Sequence, residues 1–132
     1  MIKIDEEKTI HLTRGDSATI VVTAQNYDGS NYEFQKGDTL RLKVMSKKKV
    51  EEIVLTKDII IDSNKESVEI ELTSDETRIG YYINKPVTYW YEIELNPNNN
   101  STTIIGYDDD GPKQFKLYPE GKNGEKWWIL IV

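Results

Sequence analysis

The sequence predicts an all-β chain, an antiparallel sandwich or barrel of about seven or eight short strands, and three observations predict it. Apolar residues recur at every second position in segment after segment, which places alternate side chains on opposite faces of a sheet. Turn residues punctuate these segments at intervals of about 8 to 15 residues. No stretch keeps a 3.6-residue period long enough for an ordinary helix.

Each element has its own local reason. Residues 9–13 put Ile10 and Leu12 on one face and His11 with two threonines on the other. Arg14-Gly15-Asp16 then turns the chain into 17–24, where Ala18, Ile20, Val22 and Ala24 point inward. Residues 26–31, with Asp28-Gly29 at their centre, read as a hairpin turn, and Lys36-Gly37-Asp38 as another. Residues 39–45 alternate Leu40, Leu42 and Val44 against Arg41, Lys43 and Met45. After a basic loop (Lys47, Lys48, Lys49), residues 52–62 are β-branched and apolar, a strand of undetermined register. Val68, Ile70 and Leu72 oppose Glu69 and Glu71 in the next. Thr73, Ser74 and Asp75 with Glu76 behind them suit the start of one short helical turn, which Gly80 can end. Residues 87–95 form the strongest pattern: Val87, Tyr89, Tyr91, Ile93 and Leu95 share one face, and Thr88, Trp90, Glu92 and Glu94 the other. The run NPNNNS at 96–101 is a loop; 102–107 and 113–118 are strands around a loop at 108–112. The expected organisation is one sandwich over 1–118, then a linker and an apolar C-terminal strand over 119–132.

Composition narrows the function classes. The chain has 132 residues, 37% hydrophobic and 30% charged, which is enough apolar material for one folded core. A formal charge of −6, from 17 basic and 23 acidic residues, has the wrong sign for gripping a phosphate backbone. No cysteine means no disulfide and no thiolate chemistry, and the single His11 rules out a multi-histidine metal site. The N-terminus lacks the apolar core of a secretory signal, and no stretch reaches the roughly 20 apolar residues of a membrane helix. Synthesis and retention in a cytoplasm as a soluble protein are therefore expected, with neither nucleic acid nor membrane as partner.

The remaining chemistry is sparse. Arg14-Gly15-Asp16 spells the tripeptide that integrins recognise on exposed loops, but the flanking strands already demand a turn there. Asp108, Asp109 and Asp110 offer oxygens to calcium without the spacing of a calcium loop, and read as a solvated hairpin tip. Glu69, Glu71, Glu92 and Glu94 lie on outward strand faces, where acids serve solubility and edge protection. No catalytic, cofactor or metal residue is expected. Trp90, on the polar face of the best strand, is either covered by another element, an anchor for a protein partner, or, with Trp127 and Trp128, a stacking platform for sugars.

Three longer stretches resemble a known family. Leu12-Thr13-Arg14-Gly15-Asp16 through Ile20 is similar to the opening "L-x-R-G-D-x-x-x-I" of small tailed-phage and prophage structural proteins. Asp28-Gly29, Tyr32, Phe34 and Gly37-Asp38 resemble their "DG-x-x-Y-x-F-x-x-GD" segment, and Tyr89 to Leu95 their "Y-x-Y-x-I-E-L", followed by a second hairpin with Gly106. The nearest such domain is the immunoglobulin-like N-terminal sandwich of baseplate upper proteins, and the resemblance spans roughly residues 9–118. It implies an antiparallel immunoglobulin-like β-sandwich and a non-enzymatic adaptor role in a virion, at baseplate, tail or head, with other virion proteins or further copies as partners. Longer family members carry a fibre or receptor-binding part behind this domain, which this sequence, running to Val132, does not. A stand-alone carbohydrate-binding sandwich is the alternative.

The segment Trp127, Trp128, Ile129, Leu130, Ile131 and Val132 is apolar at every position, uncharged and free of proline. A half-exposed strand would alternate, so both its faces need cover. Either it closes the chain's own sheet beneath loops, or it docks on a neighbouring subunit by strand addition, the reading favoured here.

Overall fold

The computed structural model describes residues 2–4, 7–26, 28–46, 52–98, 101–106 and 113–120. Among these, nine strands follow one another: β1 (Ile2–Ile4), β2 (Ile10–Thr13), β3 (Ala18–Val22), β4 (Thr39–Met45), β5 (Ile53–Ile60), β6 (Val68–Leu72), β7 (Val87–Leu95), β8 (Thr102–Ile105) and β9 (Lys113–Tyr118). The protein is all-β. One sheet runs β1-β2-β9-β7-β4-β5 with β8 also on β7, and a second is the antiparallel pair β3-β6. β2 lies parallel to β9 with Leu12 opposite Leu117, a departure from the expected all-antiparallel pairing. Parallel neighbours need a long connection, and here nearly the whole chain intervenes between the two.

Alternation builds the core. Ala18, Ile20 and Val22 of β3 and Val68, Ile70 and Leu72 of β6 face Ile10, Leu12, Leu40, Leu42, Val44, Tyr89, Tyr91 and Ile93 of the larger sheet, and all are buried. These are the residues that the sequence assigns inward in β2, β3, β4, β6 and β7. Phe34, Ile61, Ile79, Phe115 and Leu117 complete the cluster. Tyr91 also donates its hydroxyl to the Lys8 carbonyl at 2.6 Å, tying β7 to the entry of β2.

Three elements depart from the sequence reading. β1 was not expected; Ile4 pairs with Ile10 and Ile2 with Leu12, extending the sheet past β2. Met45, assigned outward, is buried, at a point where the β4–β5 register shifts between Val44 and Met45. The strands at 102–107 and 113–118 do not form a hairpin with one another. β9 pairs with Val87 to Tyr91 and β8 with Ile93 to Leu95, both antiparallel and on the edge of β7 opposite β4, so they are two lengths of one interrupted strand. Asp108, Asp109 and Asp110 lie outside the described residues.

Residues 73–77 form the single expected turn. The Glu76 N–H donates to Thr73 Oγ1 at 3.2 Å and the Thr73 N–H to Glu76 Oε1 at 2.9 Å, a reciprocal capping box. At the opposite pole, Asp38 accepts from the Tyr32 hydroxyl (2.8 Å), the Gln35 N–H (2.9 Å) and the Asn96 amide (3.2 Å). Asn96, with φ 50°, exchanges two bonds with Thr39: its N–H donates to the Thr39 carbonyl, and its side-chain oxygen accepts the Thr39 N–H. The loop that begins at Asn96 is thus anchored at its first residue. Phe34 is fully buried and Tyr32 packs edge-on against it, ring centroids 5.2 Å apart.

Candidate functional site

The Arg14-Gly15-Asp16 corner is a joint and not a presented ligand. Arg14 is buried, its Nε donating to the Ile79 carbonyl (3.2 Å), one terminal nitrogen to the Gly80 carbonyl (2.9 Å) and the other to Glu120 Oε1 (2.7 Å). Gly15 sits at φ 86°, and a Cβ there would fall 2.5 Å from Glu120 Oε2. Thr77 finishes the corner: its Oγ1 accepts the Gly15 N–H at 3.0 Å and donates to the Asp16 carbonyl at 2.7 Å. Five donors in a planar fork let one arginine satisfy two carbonyls and a carboxylate together. The corner fastens the ends of β2 and β9 to the turn that follows β6.

The outward face of the larger sheet carries a charge ladder. Arg41 bridges to Asp58 with Nε at 2.7 Å from Oδ1 and a terminal nitrogen 2.9 Å from Oδ2. Lys43 stands 2.8 Å from Glu92 Oε1 and pairs also with Glu94 Oε1, while Ser101 donates to Glu94 Oε2 at 3.0 Å. Burial pushes Glu94 upward, but Lys43 and Ser101 outweigh it and hold the carboxyl below its ordinary value. Burial likewise opposes the charge on Lys43, and Glu92 and Glu94 overcome it, so its pKa is raised. Glu92 and Glu94 therefore neutralise a lysine, where solubility was the expected role. An acid held ionised against a lysine is a poor proton donor, and this pair has the marks of a structural bridge.

Trp90 sits on this face, half-buried, between Met45 of β4 and Gln114 of β9. Trp127, Trp128, Ile129, Leu130, Ile131 and Val132 lie outside the described residues. His11 is half-buried, with Nδ1 2.8 Å from the Tyr118 hydroxyl. Among the described residues, no group of three His, Cys, Asp or Glu side chains is placed to hold a metal ion.

Among the described residues the structure adds open seams, because a two-stranded sheet covers only part of a seven-stranded one. Along β3 runs a groove of about 450 Å³, lined by Ile4, Lys8, Ile20, Val21, Ile104 and Ile105 among others, with core residues Tyr91 and Ile93 beneath. A second, of about 410 Å³, separates the end of β5 from β6 between Ile59, Ile60, Val68 and Glu69. Exposed apolar residues collect near both: Ile4 and Val21 at the first, Ile60 at the second. Tyr81 and Tyr82 are also exposed, in the loop after Gly80. Sequence reading missed the grooves because they depend on which strands join which sheet. Comparison with protein-family models, curated proteins and solved structures returned no match for the chain.

Proposed function

We propose that the chain is a non-enzymatic structural or adaptor protein of a phage or prophage virion, working through protein–protein contacts. The observation that carries this reading is where the family-like residues stand. Leu12, Arg14, Gly15, Tyr32, Phe34, Asp38, Tyr89, Tyr91 and Ile93 are core or joint residues of one sandwich, so the resemblance covers the parts that make such a domain. Strand order supports the immunoglobulin-like form: β3 with β6 in one layer, and β4, β7 and β9 together in the other. An adaptor needs surfaces and no reactive centre, and the open seams beside β3 and β5 are such surfaces. The apolar segment 127–132 suits strand addition to a neighbouring subunit, with the groove beside β3 as an acceptor of the right character. In this reading the protein is made in the bacterial host cytoplasm and incorporated into the particle.

The test is co-banding. Particles induced from a strain carrying the gene are run on a density gradient and probed with antibody to the chain. Signal in the infectious band supports the proposal; signal only at the top of the gradient refutes it.

A further inference from the structure

β3 leaves one edge open, and that edge is unguarded. Among the described residues it pairs with β6 alone. Natural edges are blunted by charge, proline, a bulge or a covering element. Residues 17–25 hold no charge and no proline, and β3 matches β6 residue for residue from Ala18–Leu72 to Val22–Val68 without a bulge. Val21 is 58% accessible beside the groove, which Ile104 and Ile105 also line, with Tyr91 and Ile93 beneath. An added strand would find backbone partners on β3 and an apolar bed for alternate side chains.

We infer that residues 127–132 of the same chain add to this edge as a third strand of the smaller sheet, running parallel to β3. Two observations select this occupant. The segment from Trp127 to Val132 is apolar at every position, so whichever alternate set faces inward, three apolar side chains enter the groove. The chain also leaves the described fold at the right corner. The Arg14 N–H donates to the Tyr118 carbonyl at 2.9 Å, Arg14 binds Glu120, and Glu120 lies against Gly15, three residues before β3 begins at Ala18. Residues 121–126, with Gly121 and Gly124 among them, can span up to about 20 Å when extended. Ile20 lies only two residues into β3, about 7 Å past its start. A strand that sets out from this corner along the groove follows the direction of β3, hence the parallel pairing. So short a tether also gives the chain's own segment a higher effective concentration than a neighbour's at ordinary protein concentrations. Under the virion reading proposed above, donation to a neighbouring subunit becomes an exchange of this strand between copies; the contact within one chain does not rest on that reading.

Spin labelling of the full chain reads the contact without any truncation. The chain has no cysteine, so Val21→Cys and Ile60→Cys each carry a single nitroxide, one at the β3 groove and one at the seam beside β5. Both side chains are exposed, and a side chain at position 21 stands off the sheet face and leaves the edge itself free. The three tryptophans give three indole N–H signals in the nuclear magnetic resonance spectrum. The expected result is loss of the Trp127 and Trp128 signals with the label at position 21, and a smaller loss with the label at position 60. Mixing unlabelled, isotope-enriched chain with spin-labelled, unenriched chain should leave both signals intact. Retention of both signals with the label at position 21 overturns the inference. So does equal loss from the two labels, which would put the segment elsewhere than the β3 edge. Loss that appears in the mixed sample overturns it too, because the groove then holds a neighbour's segment, and strand donation between copies is left standing.

Discussion

Single side chains at the two poles tie strand ends together. Arg14 touches two carbonyls and Glu120, and no other residue type spans all three. Arg14→Ala leaves the Ile79 carbonyl and the Glu120 carboxylate without that donor, and is expected to cost on the order of 2–4 kcal/mol in urea unfolding. Arg14→Lys should recover only part of this, since an ammonium cannot fork. Leu42, with no exposure, is expected to cost about 2–5 kcal/mol as Leu42→Ala. A loss below about 1 kcal/mol for Leu42→Ala would mean the core relaxes around the cavity. The inward role of Leu42 was legible from period-two spacing. That of Arg14 was not, because its partners Ile79, Gly80 and Glu120 are distant in sequence and nothing local marks a buried arginine.

Strands were legible where one face is buried and the other wet, as in β3, β6 and β7, since a one-residue slip would expose every apolar side chain. β1 escaped notice because three residues carry too little pattern, and β5 had no clear register because its edge position leaves apolar residues on both faces. The broken strand β8–β9 was read as a hairpin, the usual meaning of a turn-rich loop between two short strands. Connections behave unequally as well. Asn96 is a cap for β4 while Asn98 is exposed, so the two asparagines are expected to respond differently to substitution. Asn96→Ala should lose roughly 1–3 kcal/mol, through a left-handed backbone and unmade bonds to Thr39 and Asp38. Asn98→Ala should change stability by less than about 0.5 kcal/mol. Equal effects in thermal melts would show that the loop is not pinned at its first residue.

At the scale of the whole molecule, carboxylates tie elements together and make stability pH-dependent. Asp38 is pushed up by burial but held lower by bonds from Gln35, Tyr32 and Asn96; Asp58 is lowered by Arg41, and Glu76 by the Thr73 N–H and Lys57. A carboxyl whose folded pKa is depressed adds stability above its unfolded value and loses it as pH falls through the folded one. The urea midpoint should therefore stay level from about pH 8 to 5 and fall steeply below about pH 4. Tyr32 shifts the other way: burial and Asp38 raise its pKa, so its contribution is complete below about pH 10 and fades above. A midpoint that rose on acidification would contradict the carboxylate bridges. The same scale holds the functional claim, since adaptor domains act as repeated units in a symmetric particle. Quantitative mass spectrometry of gradient-purified particles, with the major structural protein as internal standard, measures that claim directly. A fixed, multiple copy number per particle that survives further purification is the expected result; a copy number near zero, or one that falls with each wash, would contradict a virion role.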